Sequence, residues 1–252
     1  MTTTTSLSAP PASASSSTAA AADHSQSAEA LYTSDAYLQR TGGTWHLEDA
    51  EFKAKYVDQL VTRNAIEPTT VCEIGCGAGG VLKQLHDRWP VSVQFTGYEI
   101  SPDAHRLSQQ FRTPRLRFSL EDAFAGNEPY DLLLALDVVE HVEDCYAFLR
   151  QCRQRARYKV YHIPLEITCL TAARDCLAAG FQLGHIHHFS WSSAMSALEL
   201  TGHRVIDWLW TPVGLERGKH FRTRLANCAR RLLPTRTAAR VLGGYSLLAL
   251  TE

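Results

Sequence analysis

No run of about 18 uncharged apolar residues occurs in the 252-residue chain, which excludes a membrane-spanning helix. None of the seven cysteines forms a CxxC pair, and their number is odd. Reduced thiols in a cytoplasmic protein fit this better than a secreted disulfide framework. No Lys or Arg precedes Arg40. The N-terminal stretch therefore lacks the basic start of a secretory signal and the arginines of a mitochondrial presequence, and the same lack weighs against a plastid-type presequence. Residues 1–29 are mainly Thr, Ser, Ala and Pro. They bury too little apolar surface to offset their ordering entropy and read as a disordered tail. No Asp or Glu lies between Arg217 and Arg240, against eight Lys and Arg. With a net charge of −1, the rest of the chain carries about −9 by subtraction. No internal repeat is visible.

What is present is ordinary for a globular domain: 45% apolar and 20% charged residues. From Glu48 to Arg63, Phe52, Tyr56, Leu60 and Val61 recur at helical spacing, with Glu51 and Lys55 as an i,i+4 pair. Strand-like runs follow at Thr70–Ile74, Ser92–Tyr98, Arg115–Phe118, Asp131–Leu136, Tyr158–Ile163, Arg204–Trp210 and Gly243–Leu250. Helical patterns at Gly79–Arg88, Pro102–Phe111, Val142–Arg157, Ile167–Ala179 and Ser192–Thr201 sit between them. Gly180 and Gly202 stand where helix C-terminal glycines belong. Repeated strand–helix units predict a Rossmann-like three-layer α/β/α sandwich with a largely parallel sheet. The domain is expected over 30–252, with a basic helical insertion at 211–240 before the last strand.

The segment Val71-Cys72-Glu73-Ile74-Gly75-Cys76-Gly77-Ala78-Gly79-Gly80 runs from a strand through a glycine-rich turn into a helix. Glycines there permit tight turning and let a ligand lie against backbone. Gly75, Gly77 and Gly80 also satisfy GxGxxG, so a nicotinamide dinucleotide stays open at this point, as does a purely structural turn. Three carboxylates narrow the choice. Glu73, two residues before the first glycine, suits an ammonium-bearing ligand and suits pyrophosphate badly. Glu99 ends the second strand, where an acid can hold both ribose hydroxyls. Asp122, after the third strand, can accept from an adenine amino group. Each alone could be a solvated loop residue or a helix cap; all three are in register with the strands.

These elements, EIGCGAGG, the acids in GYEIS and LEDAF, and YDLLLALDVVEHVED, resemble the class I S-adenosylmethionine-dependent methyltransferases. The flanking YLQRTGGTWHLEDAEFKAK and VLGGYSLLAL are similar to an uncharacterised bacterial group of methyltransferase-domain proteins. The resemblance implies a seven-stranded sheet with an antiparallel last strand and S-adenosyl-L-methionine as cofactor. It implies that Gly75, Gly77 and Gly79 cradle the methionine part and that Glu73 faces its amino group. Glu99 would bind ribose, and Asp122 with the Ala123 backbone would bind adenine. Asp137 would lie near the methionine moiety and the methyl group. Tyr32, Tyr37, Trp45 and His46 fall where the family caps the cofactor.

Methyl transfer from a sulfonium is an in-line displacement in which alignment does much of the catalysis. An oxygen or nitrogen acceptor also needs a base, for which Asp137, His141 and His187 are the candidates. Asp137, Glu140 and His141 form D-x-x-E-H, and oxygen and imidazole groups at that spacing could share a divalent ion. In related enzymes a further downstream histidine joins such a cluster, and His187 fits it best within GHIHHFSW. Asp reaches less far than the Glu those enzymes carry, so the expectation is that no metal is held and that the histidines line the acceptor cleft. Cys72 and Cys76 are expected to pack. Phe221, Leu225, Cys228, Leu232 and Leu233 recur among arginines, suiting weak contact with an anionic membrane surface or a docked helix. No nucleic-acid partner is expected at a net charge of −1. The acceptor is expected to be a small molecule or a glycan or lipid precursor, methylated on oxygen. The alternatives are a nicotinamide-dependent oxidoreductase and a non-catalytic cofactor-binding protein.

Overall fold

The computed structural model describes residues 43–126, 129–174, 184–212 and 232–252. The expected disordered tail, Tyr32, Tyr37, Gly180 and most of the basic stretch lie outside the described residues. The helices are α1 (Ala50–Arg63), α2 (Gly80–Arg88), α3 (Pro102–Ser108), α4 (Cys145–Arg155), α5 (Cys169–Arg174), α6 (Trp191–Leu200) and α7 (Thr235–Val241). The strands are β1 (Thr70–Ile74), β2 (Gln94–Tyr98), β3 (Leu116–Ser119), β4 (Tyr130–Leu136), β5 (Ala156–Pro164), β6 (Val205–Thr211) and β7 (Ser246–Thr251).

The strands form one sheet in the order β3-β2-β1-β4-β5-β7-β6. β1 to β5 pair in parallel, and β7 runs antiparallel between β5 and β6. The expected three-layer fold with its antiparallel last strand is thus present. β4 shows why the central strands read as unbroken apolar runs. Leu132, Leu134 and Leu136 enter the core under α1 and α2, while Leu133 and Ala135 enter the core under α4 and α6. A parallel strand covered on both faces has no polar side to show.

Local signals set the element ends. Ser101 caps α3 by accepting from the Ala104 N–H, with Pro102 at the first helical position. Asp144 caps α4 through the Ala147 N–H at 2.8 Å, so α4 starts three residues later than the periodicity suggested. Ser190 and Ser193 form a reciprocal capping box on α6. At the far end of α1, Arg63 and Asn64 both bond Asp207 of β6, fixing the helix across the sheet edge. Among the described residues no helix is long and apolar enough to cross a membrane.

Candidate active site

Between β1 and β4 the chain order reverses direction across the sheet, with α2 on one face and α4 on the other. Loops leaving adjacent strands to opposite faces part there, and open α/β sheets bind ligands in that crevice. A cavity of about 810 Å³ lies at this place. Its wall runs from Trp45 and Lys53 through Glu73, the glycine loop and Glu99 to Asp137, His162 and Ser246.

The loop after β1 is tied to β2: the Gly75 and Cys76 N–H groups donate to the Tyr98 carbonyl at 2.9 and 3.1 Å. Gly75 and Gly77 have φ of 68° and 54°. A Cβ at Gly75 would stand 2.8 Å from Val138 Cγ2, and one at Gly77 2.7 Å from Trp45 Cδ1. Both positions therefore require glycine for backbone and for space. Gly79 differs from the expectation. It is absent from the cavity wall, and a Cβ there would meet the Phe118 ring at 2.6 Å. Its place before α2 turns it towards the β3 side, so it packs where Gly75 and Gly77 face the cavity.

Glu73 is buried, lines the cavity, and has one carboxylate oxygen with no hydrogen-bond partner. Burial pushes its pKa up to about 8, partly opposed by Lys53 and reinforced by Glu99. Glu99 is also buried, but its oxygens are engaged. Oε2 accepts from the Gly77 N–H at 2.7 Å, and Oε1 from Ile100 and Ser101 at 2.9 and 2.8 Å. Burial raises its pKa in spite of those bonds. Glu99 is thus the post on which the glycine loop rests. Asp122 lines the cavity and accepts from the Phe124 N–H at 2.9 Å. The Ala123 side chain points the other way, into the core with Ile74 and Leu133.

Sequence reasoning missed Lys53 and His162. Lys53, one turn into α1, reaches Asp137 at 2.7 Å. The other Asp137 oxygen meets His162 Nδ1, and His162 Nε2 meets the Thr211 hydroxyl at 2.8 Å. Burial would lower the lysine pKa, but Asp137, with Glu73 and Glu140 further off, holds it above its usual range. Burial would raise the Asp137 carboxyl, but His162 and Lys53 hold it far below the usual range. Asp137 is therefore ionised, saturated and a weak base. It sits at φ 58°, a left-handed turn that aims its side chain back between Lys53 and His162.

Of Asp137, Glu140, His141 and His187, the first three line the cavity and His187 does not. His187 Nε2 is bound to the carbonyls of Val142 and Glu143 at 2.9 and 3.1 Å, and the residue is absent from the cavity wall. His185, two residues earlier, takes its place on that wall. Ligand atoms of Glu140, His141 and His185 all lie within 4.8 Å of one another. His141 donates through Nδ1 to the Gly184 carbonyl at 3.0 Å. Burial, with His185 adding, pushes its pKa down to about 4, so it is neutral at pH 7. His185 Nδ1 contacts Glu166 at 2.8 Å, and His188 Nδ1 contacts the other Glu166 oxygen at 2.5 Å. Of the expected aromatic cap, Trp45 and His46 do line the cavity. Cys72 and Cys76 are buried.

A family model described as a methyltransferase domain matches residues 45–207. Over 112 residues the chain is 32% identical to trans-aconitate 2-methyltransferase of Streptomyces coelicolor, a match covering 39% of this chain and 37% of that protein. It is 27% identical over 147 residues to the ubiquinone biosynthesis O-methyltransferase of Methylobacterium nodulans, covering 54% of this chain and 58% of that one. The chain thus matches less than two thirds of the length of either relative. Among solved structures, magnesium protoporphyrin IX methyltransferase from Synechocystis with bound SAH aligns at a TM-score of 0.58 and 16% identity, covering 88% of this chain and 95% of that one. An N-methyltransferase from Bradyrhizobium japonicum in complex with S-adenosyl-L-homocysteine aligns at 0.57 and 15% identity, covering 87% and 97%. At these identities the structural likeness is one of fold.

Proposed function

The chain belongs to the methyltransferase-domain family, and from that premise we propose that its cavity holds S-adenosylmethionine and presents the methyl group to a small-molecule acceptor. The observation that carries the reading is Glu73: a buried carboxylate with an unpartnered oxygen, beside a backbone cradle that admits only glycine at Gly75 and Gly77. An orphaned buried carboxylate calls for a cation, and the methionine end of the cofactor carries an ammonium. A dinucleotide would bring pyrophosphate to the same spot and meet that carboxylate with like charge.

In this reading Gly75 and Gly77 lie against the methionine part and Glu73 takes its ammonium. Glu99 has a free lone pair on Oε2 for a ribose hydroxyl, and Asp122 stands at the adenine end. When bound, the cofactor supplies an electrophilic methyl group and a good leaving group. The chain supplies alignment. Trp45 covers the loop, and the Lys53–Asp137–His162 array fixes the floor. The wall formed by Glu140, His141 and His185 borders the acceptor's end. A volume of about 810 Å³ falls within the range of small-molecule sites, roughly 300–1,000 Å³. We assign the acceptor a hydroxyl or carboxylate oxygen, as on a metabolite or a glycan or lipid precursor. Support comes from two relatives, one named for trans-aconitate and one as an O-methyltransferase.

Calorimetry with S-adenosylhomocysteine and with NAD tests the cofactor. The expected result is one equivalent of S-adenosylhomocysteine and no NAD; the reverse would sink the reading. Glu99→Ala should weaken S-adenosylhomocysteine by about 1.5–3 kcal/mol through lost charged hydrogen bonds. Methyl-labelled cofactor added to cell extract tests the acceptor. Label confined to RNA or protein would overturn the small-molecule assignment.

A further inference from the structure

We propose that Glu140, His141 and His185 form a binding site for one divalent transition-metal ion on the wall of the cavity. Glu140 is sealed from solvent, yet neither of its carboxylate oxygens has a hydrogen-bond partner among the described residues. Two unsatisfied carboxylate oxygens in the interior are costly unless a cation or a donor meets them. The groups facing them are imidazole nitrogens: His141 Nε2 is 3.9 Å from Glu140 Oε1, and His185 completes a group spanning 4.8 Å at most.

The outer contacts set both rings for ligation. A carbonyl can only accept, so Gly184 fixes the His141 proton on Nδ1 and turns Nε2 inward. Glu166 does the same to His185 through Nδ1 at 2.8 Å. A carboxylate behind a histidine is the usual second shell of a metal-binding imidazole. Two imidazoles and one carboxylate favour ions of the zinc, cobalt, nickel or iron type over magnesium. An ion about 2.0–2.2 Å from each ligand needs the three atoms about 3–3.6 Å apart. The group must close by about an ångström, which Glu140 can do by side-chain rotation because it has no bond to give up. Three protein ligands leave coordination positions open towards the cavity, where oxygen atoms of an acceptor can take them. This last step rests on the methyltransferase reading; the site itself does not.

The test is titration of the untagged, EDTA-dialysed full chain with Co²⁺, followed by visible absorption. One equivalent with tetrahedral-type bands is expected, displaced by Zn²⁺. Glu140→Gln and His185→Gln should each weaken Co²⁺ by about 100-fold or more. Glu166→Gln should weaken it by about 10–100-fold. Glu48→Gln, in the rival His46–Glu48–Asp49 group, should leave it unchanged. His141→Cys should add a thiolate-to-cobalt charge-transfer band, a positive signature that an unfolded variant does not give. The proposal is overturned if no equivalent binds, if Glu140→Gln binds as tightly as the native chain, if Glu48→Gln abolishes binding, or if the cysteine variant holds Co²⁺ without the new band. S-adenosylhomocysteine binding measured in parallel separates the two readings. Cofactor binding without Co²⁺ ends this proposal alone, and Co²⁺ binding without the cofactor ends the methyltransferase reading alone.

Discussion

Glu73 ties a structural cost to a binding event. Its folded pKa is about 8 against an ordinary value of 4.5. The native chain therefore holds a proton there that the unfolded chain releases between those values, and this contribution to stability declines as pH rises through that window. An ammonium ligand binds the ionised form. Binding of S-adenosylhomocysteine at pH 7 should then release a proton, giving a calorimetric enthalpy that differs between Tris and phosphate. The difference should vanish at pH 9 and in Glu73→Gln. Buffer-independent enthalpy at pH 7 in the native chain would remove Glu73 from the ammonium site. Asp137 makes the opposite case, a carboxylate already satisfied. Asp137→Ala leaves Lys53 and His162 without their partner. Partner loss in a sealed pair costs roughly 3–5 kcal/mol. The Asp137 side chain keeps 28% exposure, so screening brings the expected loss in urea unfolding to about 2–3 kcal/mol.

At the scale of elements, β4 carries both cores. Leu134→Ala, fully buried, should cost about 2–5 kcal/mol in denaturant unfolding, whereas a loss below 0.5 kcal/mol would contradict its packing. His203, at the turn from α6 into β6, joins three elements. It meets the Leu149 carbonyl of α4 at 3.0 Å, the Tyr161 hydroxyl of β5 at 3.2 Å and the Thr251 hydroxyl of β7 at 3.1 Å. Burial pushes its pKa down to about 4 from 6.5, partly opposed by the Leu149 bond. The unfolded chain binds more protons between those values, so stability falls as pH drops from 6.5 to 4. His203→Asn should make that fall shallower, as read from unfolding midpoints across the window; an unchanged slope would refute the assignment. Most elements were legible in the sequence because each strand is an apolar run and each helix an apolar stripe. The glycine loop and its acids were legible because they are contiguous with strand ends. Lys53 was not, since a lysine on an amphipathic helix looks like any solvated one until tertiary packing brings Asp137 to it. His162 was hidden inside a buried strand. The choice of His187 over His185 failed because residues 185–188 form no regular strand, so the sequence offers no periodicity that says which histidine faces the cavity.

For the molecule as a whole, the cavity exists only in the folded state, so its ligand binds the native chain alone. S-adenosylhomocysteine at 100 times its dissociation constant should stabilise by about 2.7 kcal/mol, read as a raised Tm, with NAD producing no shift. A shift with NAD alone would place the dinucleotide in the cleft instead. The sheet order carries a further consequence, in time. Among the described strands β6 pairs only with β7, and β7 is made after it. During synthesis β2 to β5 can pair as they emerge, each beside a neighbour already present, while β6 has no described strand to join. The cavity wall waits as well, because Ser246 of β7 is part of it. A ribosome-stalled chain lacking residues 246–252 is thus a half-built pocket beside an unclaimed strand, the stage at which a chaperone has the most to hold.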